Sequence, residues 1–505
     1  MGEVKKEEKK VSRRDYLKYT GAAIGGLVVG GALGYLAKPA EVIKETVTAP
    51  GATVTVPGVE KTVTTTIKET ITKTLTAAVT PTYSAYHPPK TVELYWLVRD
   101  YNEAEAKEFL KGFYEKYPNI RIGKLEPQTW KGLYEKLVTL LSSRTGPDVC
   151  EGYSPRWIAP FYKRGYLYRL NEFFELLPDE TIPDVCPGKK GFFEKAIEAV
   201  TMADGTLAGL PNRMDGYMLY WNVKLFEEAG LPKRPPKTWD EFRDFAKNLC
   251  KDDPATGKRV RWGAGAYYTP AEEIINHFLG GKVWGDGGDF ISSDFKECLA
   301  TSSEVIEAYK FFIDMHLKDD SWWPPMTTAT YQDFAAALAQ GIIGMTFAPS
   351  VTLVDALTKL GLAWDDWGLS DPPAGSVARY TAMSGNVWAI SSFCKDPRAA
   401  WELIVYMAEP KRMAALTVTQ VAHRDALKVP KYERLKDDPL KKDGYYGSIP
   451  LINSKSPLYK IASYYDIVTL YTKAFEACWE GADIEEKLRS VKTEGDKILK
   501  KEFGE

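Results

Sequence analysis

Apolar positions fall into three regimes along this chain. Residues 19–37 form a Gly-rich apolar run, residues 41–80 alternate Thr and Val with scattered Pro and Gly, and from residue 90 onward short apolar runs take turns with stretches of helical spacing. The third regime opens with T-V-E-L-Y-W-L-V at 91–98, which predicts a strand, followed by helical spacing over 103–117 that Pro118 ends. Residues 120–122 predict a second strand, 129–142 a second helix, and G-P-D-V at 146–149 a third strand. Strands and helices alternating in this way predict an α/β fold built on a parallel sheet.

The stretch 205–249 is the most articulated. It predicts a short strand, a break at Pro211-Asn212, a second strand at 217–221, a helix closed by Gly230, a Pro-rich turn and another helix. T-W-D-E at 238–241 is a capping box: Thr238 accepts the amide of Glu241, and Glu241 reaches back to Thr238. Further on, 261–268 predicts a strand, and 270–279, 302–317 and 331–339 predict helices (the last capped by Thr330). Residues 367–376 are Pro/Gly-rich, and Asp396-Pro397 is a good helix start. A last helix is expected through 481–488, and no repeat of solenoid period is present.

Composition narrows the function classes. A length of 505 residues suggests two or three domains. A formal net charge of -2 gives no field that would recruit nucleic acid. The N-terminal S-R-R-D-Y-L-K resembles a twin-arginine export signal, with Arg13, Arg14, Tyr16 and Leu17 at its fixed positions. The apolar run behind it approaches the ~20 residues that span a bilayer, which favours a retained anchor over cleavage at Ala32-Leu33-Gly34. No cysteine precedes Cys150, so a lipidated N-terminal cysteine is excluded. The Thr-rich segment has no aromatics and reads as a stalk, either O-glycosylated or bare; no N-x-S/T sequon occurs in the chain.

Catalytic and metal chemistry find little support. The six cysteines (Cys150, Cys186, Cys250, Cys298, Cys394, Cys478) include no C-x-x-C pair, and an even count in an exported chain allows either disulfides or buried thiols; Cys150 with Cys186 is the pairing to expect if one forms. The four histidines are scattered, with His277 and His316 structural helix residues. Trp284–Asp289 (W-G-D-G-G-D) resembles a calcium loop only loosely and lacks its terminal glutamate. No cofactor or metal is expected.

Three motifs, in register over more than forty positions, resemble the extracytoplasmic solute-binding proteins of ABC importers, in particular the sugar-binding, maltose-binding-protein-like family. They are G-T-L-A-G-L-P at 205–211, W-N-V-K-L-F-E-E-A-G-L at 221–231 and P-K-T-W-D-E at 236–241, with Trp221 in place of the family's Tyr. The resemblance implies a two-lobe α/β fold with three hinge crossings. It would comprise a signal or anchor at 1–38, a stalk at 39–89, a first lobe at 90–213 plus 369–417 and a second at 214–368 plus 418–505. The second crossing would fall at 367–376 and the third at 417–424.

It also implies a cleft that holds a carbohydrate and a protein that hands it to an ABC permease, exported and tethered to the outer face of the membrane as a monomer. The ligand-binding residues would be Trp96 and Arg99 at the end of the first strand, with Asp100 beside them, and Tyr153 and Ser154 after the third, with Trp157 nearby. Arg213, Asp215 and Tyr217 would come from the hinge, Tyr267, Tyr268, Trp284, Asp286 and Ser350 from the second lobe, and Asn386 and Trp388 from the return strand. Aromatic faces suit the C–H faces of sugars, and placed polar groups suit their hydroxyls. Arg99 and Arg213 keep open a peptide or another polar or anionic solute. Two other classes stay open: a surface glycosidase, which would need paired carboxylates, and a stalked adhesion protein.

Overall fold

The computed structural model describes residues 82–504 except 100–102, 154, 267–273, 330, 350, 417–419, 449–453 and 456–459. The export signal, the apolar run and the Thr-rich segment therefore lie outside the described residues. Among the described residues no helix is long and apolar enough to cross a membrane.

The strands are β1 (Val92–Arg99), β2 (Ile120–Gln128), β3 (Val149–Tyr153), β4 (Leu210–Asn222), β5 (Lys251–Asp252), β6 (Arg259–Gly265), β7 (Ile343–Pro349), β8 (Trp367–Ser370), β9 (Thr381–Ile390) and β10 (Ser454–Lys455). They join in the order β2-β1-β3-β9-β4-β7-β6-β5, with β8 also on β4 and β10 on β9. β1 runs parallel to β2 and β3, and β6 runs parallel to β7. Two lobes form because β4 belongs to both halves of this order. Its residues from Leu210 to Gly216 pair with β9, and those from Tyr217 to Asn222 pair with β7 and β8.

Several expectations are refined by tertiary pairing. The break at Pro211-Asn212 is a register shift inside one continuous β4, between Pro211 and Arg213; a bulge is where a sheet tolerates a residue without an N–H. β2 runs on from Ile120 to Gln128, through Pro127, because it lies at an end of the sheet order and Pro there leaves no inner ladder bond unmade. β3 starts at Val149, later than G-P-D-V suggested, since Asp148 is spent on Tyr95: its carboxylate accepts the Tyr95 amide at 2.8 Å and its own amide donates to the Tyr95 carbonyl at 2.9 Å.

The Pro/Gly-rich segment does not make the second crossing. It stays on the second lobe, where Ala374 N donates to Lys237 O at 2.8 Å and the Val377 and Ala378 amides donate to Gly285 O at 3.0 and 2.9 Å. The return is made by β9 itself, whose Thr381 hydroxyl bonds both the amide and the carbonyl of Tyr217 at 2.8 Å. The third passage follows the first-lobe helix Pro410–Leu416. Ala422 pairs with Asn212 and Phe193, and the chain then reaches the helix Lys442–Ser448, beside β8. The C-terminal helices Tyr464–Trp479 and Ile484–Phe503 pack on the second lobe against Ser303–Leu317. There Tyr309 donates to Tyr471 O, and Tyr471 donates to Phe290 O, both at 2.7 Å.

Helix starts follow local side chains. Thr129, Thr238, Ser302, Asp396 and Asp483 each accept an amide of the first turn, as N-caps do. The capping box is half as expected. Thr238 accepts the Glu241 amide at 3.2 Å, but Glu241 turns one residue upstream, to Lys237 N at 2.6 Å and a two-pronged pair with Arg234 at 2.6 and 2.9 Å. The second-lobe core is strongly aromatic, with Trp239 against Phe242, Phe311, Phe312 and Phe347.

Residues 82–88 are not stalk. Glu402, fully buried in the helix Pro397–Met407, accepts the Tyr83 hydroxyl at 3.2 Å, the Tyr86 amide at 2.9 Å and Arg398 at 3.0 Å. Tyr86 also bonds Asp396, and Asn119 bonds the Pro88 carbonyl. All six cysteines are free thiols. Cys150 sits in β3 between Leu97 and Ala389, whereas Cys186 closes the 182–186 turn with Ile182, so no Cys150–Cys186 bridge forms. His316 lies flat on Trp479 at 3.8 Å, a packing role; the His277 side chain lies outside the described residues.

Candidate functional site

The carboxyl ends of β1 and β3 meet the crossing strands β4 and β9, and buried polar groups gather there. Arg99 ends β1 at 6% exposure and Glu151 lies in β3 at 1%. Glu151 accepts the Arg99 amide at 3.4 Å with one oxygen and the Asn212 side-chain amide at 2.9 Å with the other. One carboxylate thus ties β1 and β3 to the shifted residue of the hinge strand. A buried carboxylate is tolerated only with such partners. Gly152 has φ +127°, and a Cβ there would lie 2.8 Å from Arg99 Cδ; the bare backbone lets the arginine stem pass.

The hinge residues pair directly. Arg213 lies opposite Asn386, Asp215 opposite Ser384, and Gly385 comes so close that a Cβ on it would stand 2.2 Å from Arg213 O. Val421, on the third passage, bridges to Arg213 on its other side. Gln420, buried beside it, donates to Tyr445 O at 3.2 Å. All three passages between lobes therefore touch within a few residues of Arg213.

Of the sequence-derived candidates, this arrangement brings together Arg99, Arg213, Tyr217 and Asn386. Tyr217 and Asn386 are buried, and Arg213 is half-buried. Trp96 and Trp388 lie just beneath, both at 0% exposure with ring centroids 5.9 Å apart, and form a floor in the first-lobe core. Two candidates belong elsewhere. Trp284 is buried in the second-lobe core, where its indole donates to Asp289 at 2.9 Å and meets Phe290 edge-on. Asp286 anchors the Pro/Gly-rich loop, accepting Ser376 N at 2.8 Å and pairing with Lys282 at 2.6 Å. Burial alone would raise the Asp286 carboxyl, but Lys282 and Ser376 hold it below the usual range.

The backbone of Tyr153 pairs with Val387 and that of Asp215 with Ser384, but their side chains lie outside the described residues, as do Ser154, Tyr267, Tyr268 and Ser350. The resemblance already puts Glu151, after G-P-D-V, on the carboxyl edge of the sheet at the cleft, whereas Asn212 is a functional candidate that sequence reasoning passed over. A third group was missed in part: Tyr134, Trp157 and Tyr465 form an aromatic cluster with Tyr134 5.2 Å from Trp157 and 5.1 Å from Tyr465.

A cavity of about 660 Å³ lies elsewhere, on the first lobe between Phe174, Phe192, Ile197 and Arg424. Among the described residues no group of His, Cys, Asp and Glu is placed to hold a metal ion.

A family model for the bacterial extracellular solute-binding proteins matches residues 99–414. A putative binding protein of Brucella abortus is 25% identical over 314 residues, 62% of this chain and 70% of that protein. The diacetylchitobiose binding protein DasA of Streptomyces coelicolor is 27% identical over 194 residues, 37% of this chain and 40% of DasA. Among solved structures, an ABC transporter solute-binding protein from Thermotoga lettingae bound with α-D-tagatose superposes with a TM-score of 0.67 at 22% identity, over 81% of this chain and 100% of that one. The crossing strands, the two lobes and the matched span agree: the chain belongs to the bacterial extracellular solute-binding proteins, the solute-capturing components of ABC transporters.

Proposed function

We propose that this protein captures a carbohydrate, an oligosaccharide in particular, between its lobes and delivers it to an ABC permease. The observation that carries the reading is the buried polar group of Arg99, Glu151, Asn212, Arg213 and Asn386 where β4 and β9 pass between lobes. Such donors and acceptors, held by a rigid hinge, suit a ligand dense in hydroxyls. The names of DasA and of the tagatose-bound structure point to the same class. In this reading Arg99, Tyr153, Ser154, Arg213, Asp215, Tyr217, Tyr267, Tyr268, Ser350 and Asn386 face or frame the ligand, and Trp96 and Trp388 support it from below. The protein acts as a monomer, held at the outer face of the membrane by its N-terminal segment, and catalyses no reaction.

Arg99 and Arg213 favour one second reading, a solute carrying a carboxylate or phosphate. The test is the thermal midpoint of the full chain across sugars, oligosaccharides, peptides and inorganic phosphate. A ligand of the folded state adds about 2.7 kcal/mol at a hundredfold excess over its dissociation constant. A rise with one sugar class and no product in the same tube is the expected result. A rise with peptides or phosphate alone would replace carbohydrate with the second reading, and sugar turnover would end the non-catalytic one.

A further inference from the structure

Besides the hinge, the lobes touch at a second place. Trp157, 1% exposed, lies in the helix Pro155–Lys163, which is fastened to the first lobe through β3 and β9. Its indole N–H donates to the hydroxyl of Tyr465, in the first turn of the second-lobe helix Tyr464–Trp479. Tyr134, from the first-lobe helix Trp130–Ser142, covers both rings.

At the other end of the Trp157 helix, Lys163 Nζ lies 3.5 Å from a carboxylate oxygen of Glu502, in the last turn of Ile484–Phe503. Glu502 is itself fixed, since its two oxygens accept the Ala462 and Ser463 amides at 2.7 and 2.8 Å. Its helix is bound to the second lobe by Phe503 stacked on Phe295 and by Asp496 accepting the Cys298 amide at 2.8 Å. A second ion pair, Lys460 to Glu198 at 3.5 Å, joins the chain ahead of Tyr464 to the first-lobe helix Glu194–Val200.

We infer that Tyr465 and Glu502 form a clasp between the lobes, which holds the closed arrangement and opens when the lobes part. The geometry selects this role over plain packing. Each contact has one partner fixed to each lobe, and none lies on a strand that crosses the hinge. Bending at β4 and β9 must break all of them together while the core of each lobe stays intact. A contact made in one state only shifts the balance between states by its own free energy, so the clasp raises apparent ligand affinity by raising the closed fraction. The inference rests on the two-lobe fold and not on the identity of the ligand.

The test therefore needs no ligand. A zero-length carbodiimide joins a lysine to a carboxylate only when they touch, and peptide mapping by mass spectrometry counts the products. In the full-length wild-type chain, Lys163 should couple to Glu502. Lys492 coupling to Glu297, 2.7 Å apart and both on the second lobe, serves as the internal reference. In Tyr465→Ala the initial rate of the Lys163–Glu502 product, relative to the reference, should fall about tenfold, or about 1.4 kcal/mol in the closed-to-open ratio. Tyr465→Phe keeps the ring contacts, loses only the hydrogen bond and should fall less. An unchanged ratio in both variants, or a wild type that yields the reference but no Lys163–Glu502 product, would overturn the clasp. If the alanine variant loses the reference product too, it has not folded, and the phenylalanine variant decides.

Discussion

Gly385 offers a direct probe of the hinge. It faces Met214 where β9 and β4 cross between the lobes, and a methyl group there would meet Arg213 O at 2.2 Å and Met214 Sδ at 2.6 Å. Carbon and oxygen rest comfortably at about 3.3–3.6 Å, so Gly385→Ala must part the two strands by roughly 1 Å. Ladder bonds near 2.9 Å then stretch beyond useful length; losing two at about 1 kcal/mol each gives about 2 kcal/mol, within the usual 1–3 kcal/mol for overpacking.

Gly132 is the matched control. It lies in the helix Trp130–Ser142, and its added Cβ would make only ordinary contacts, at 3.4 Å to Gln128 and 3.5 Å to Thr129. Gly132→Ala should therefore stabilise by about 0.5–1 kcal/mol, the helical advantage of alanine. Urea unfolding followed by circular dichroism measures both, and the expected gap between the variants is about 3 kcal/mol. Equal stabilities would refute the close approach of β4 and β9 at the crossing.

Two further outcomes follow from buried and capping carboxylates. Burial holds the Glu402 carboxyl above its usual range against the opposing pull of the Tyr86 amide and Arg398. The stability this group contributes is complete below its unfolded value of about 4.3 and is lost as pH rises through the higher folded value. Glu402→Gln resembles the protonated form and escapes that loss, so the variant's thermal midpoint minus that of wild type should grow from about pH 4 to about pH 7; a difference independent of pH would show that Glu402 titrates normally. Thr238→Ala should cost about 1 kcal/mol as a lost N-cap. Glu241→Ala should cost more, because it frees the Lys237 amide and both prongs of Arg234; the reverse order in urea unfolding would show the expected capping box to be the truer picture.

What the sequence made legible is local. The helices that begin after Thr129, Thr238, Ser302 and Asp396 were readable to within a residue or two, because an N-cap is a bond between a side chain and an amide three positions on; the helix expected through 481–488 instead breaks at Gly481 and restarts after Asp483. The strand pairs were not. Pro211-Asn212 reads as a break until β9 is laid alongside it, and the Pro/Gly-rich segment reads as a hinge until Gly285 and Lys237 are found holding it. Residues 82–88 look like the end of a stalk because Glu402, their partner, is 316 positions from Tyr86. Among the site candidates, Arg99 stood at the end of β1, and Arg213 and Asn386 lie inside β4 and β9, which the topology pairs at the crossing. Trp284 did not, since a tryptophan beside glycines is compatible with core and cleft alike, and only burial separates them.

The hinge also explains why a carboxyl side chain, Glu151, occupies a place that apolar side chains could fill. Replacing a buried ionic group by hydrophobic residues often leaves stability intact, so stability alone does not account for it. Position does. β4 carries a register shift at Asn212, next to the candidate residue Arg213, and a strand that slips by one residue sends every side chain to the opposite face. Apolar packing opposes such a slip where one face is buried; the Glu151–Asn212 hydrogen bond adds a sharper restraint, because it joins one named amide to one named oxygen. The same carboxylate grips the backbone of Arg99. The carboxylate that fixes the register of the hinge strand with one oxygen thus holds the end of β1 at Arg99 with the other, and the two strands keep their alignment at the crossing.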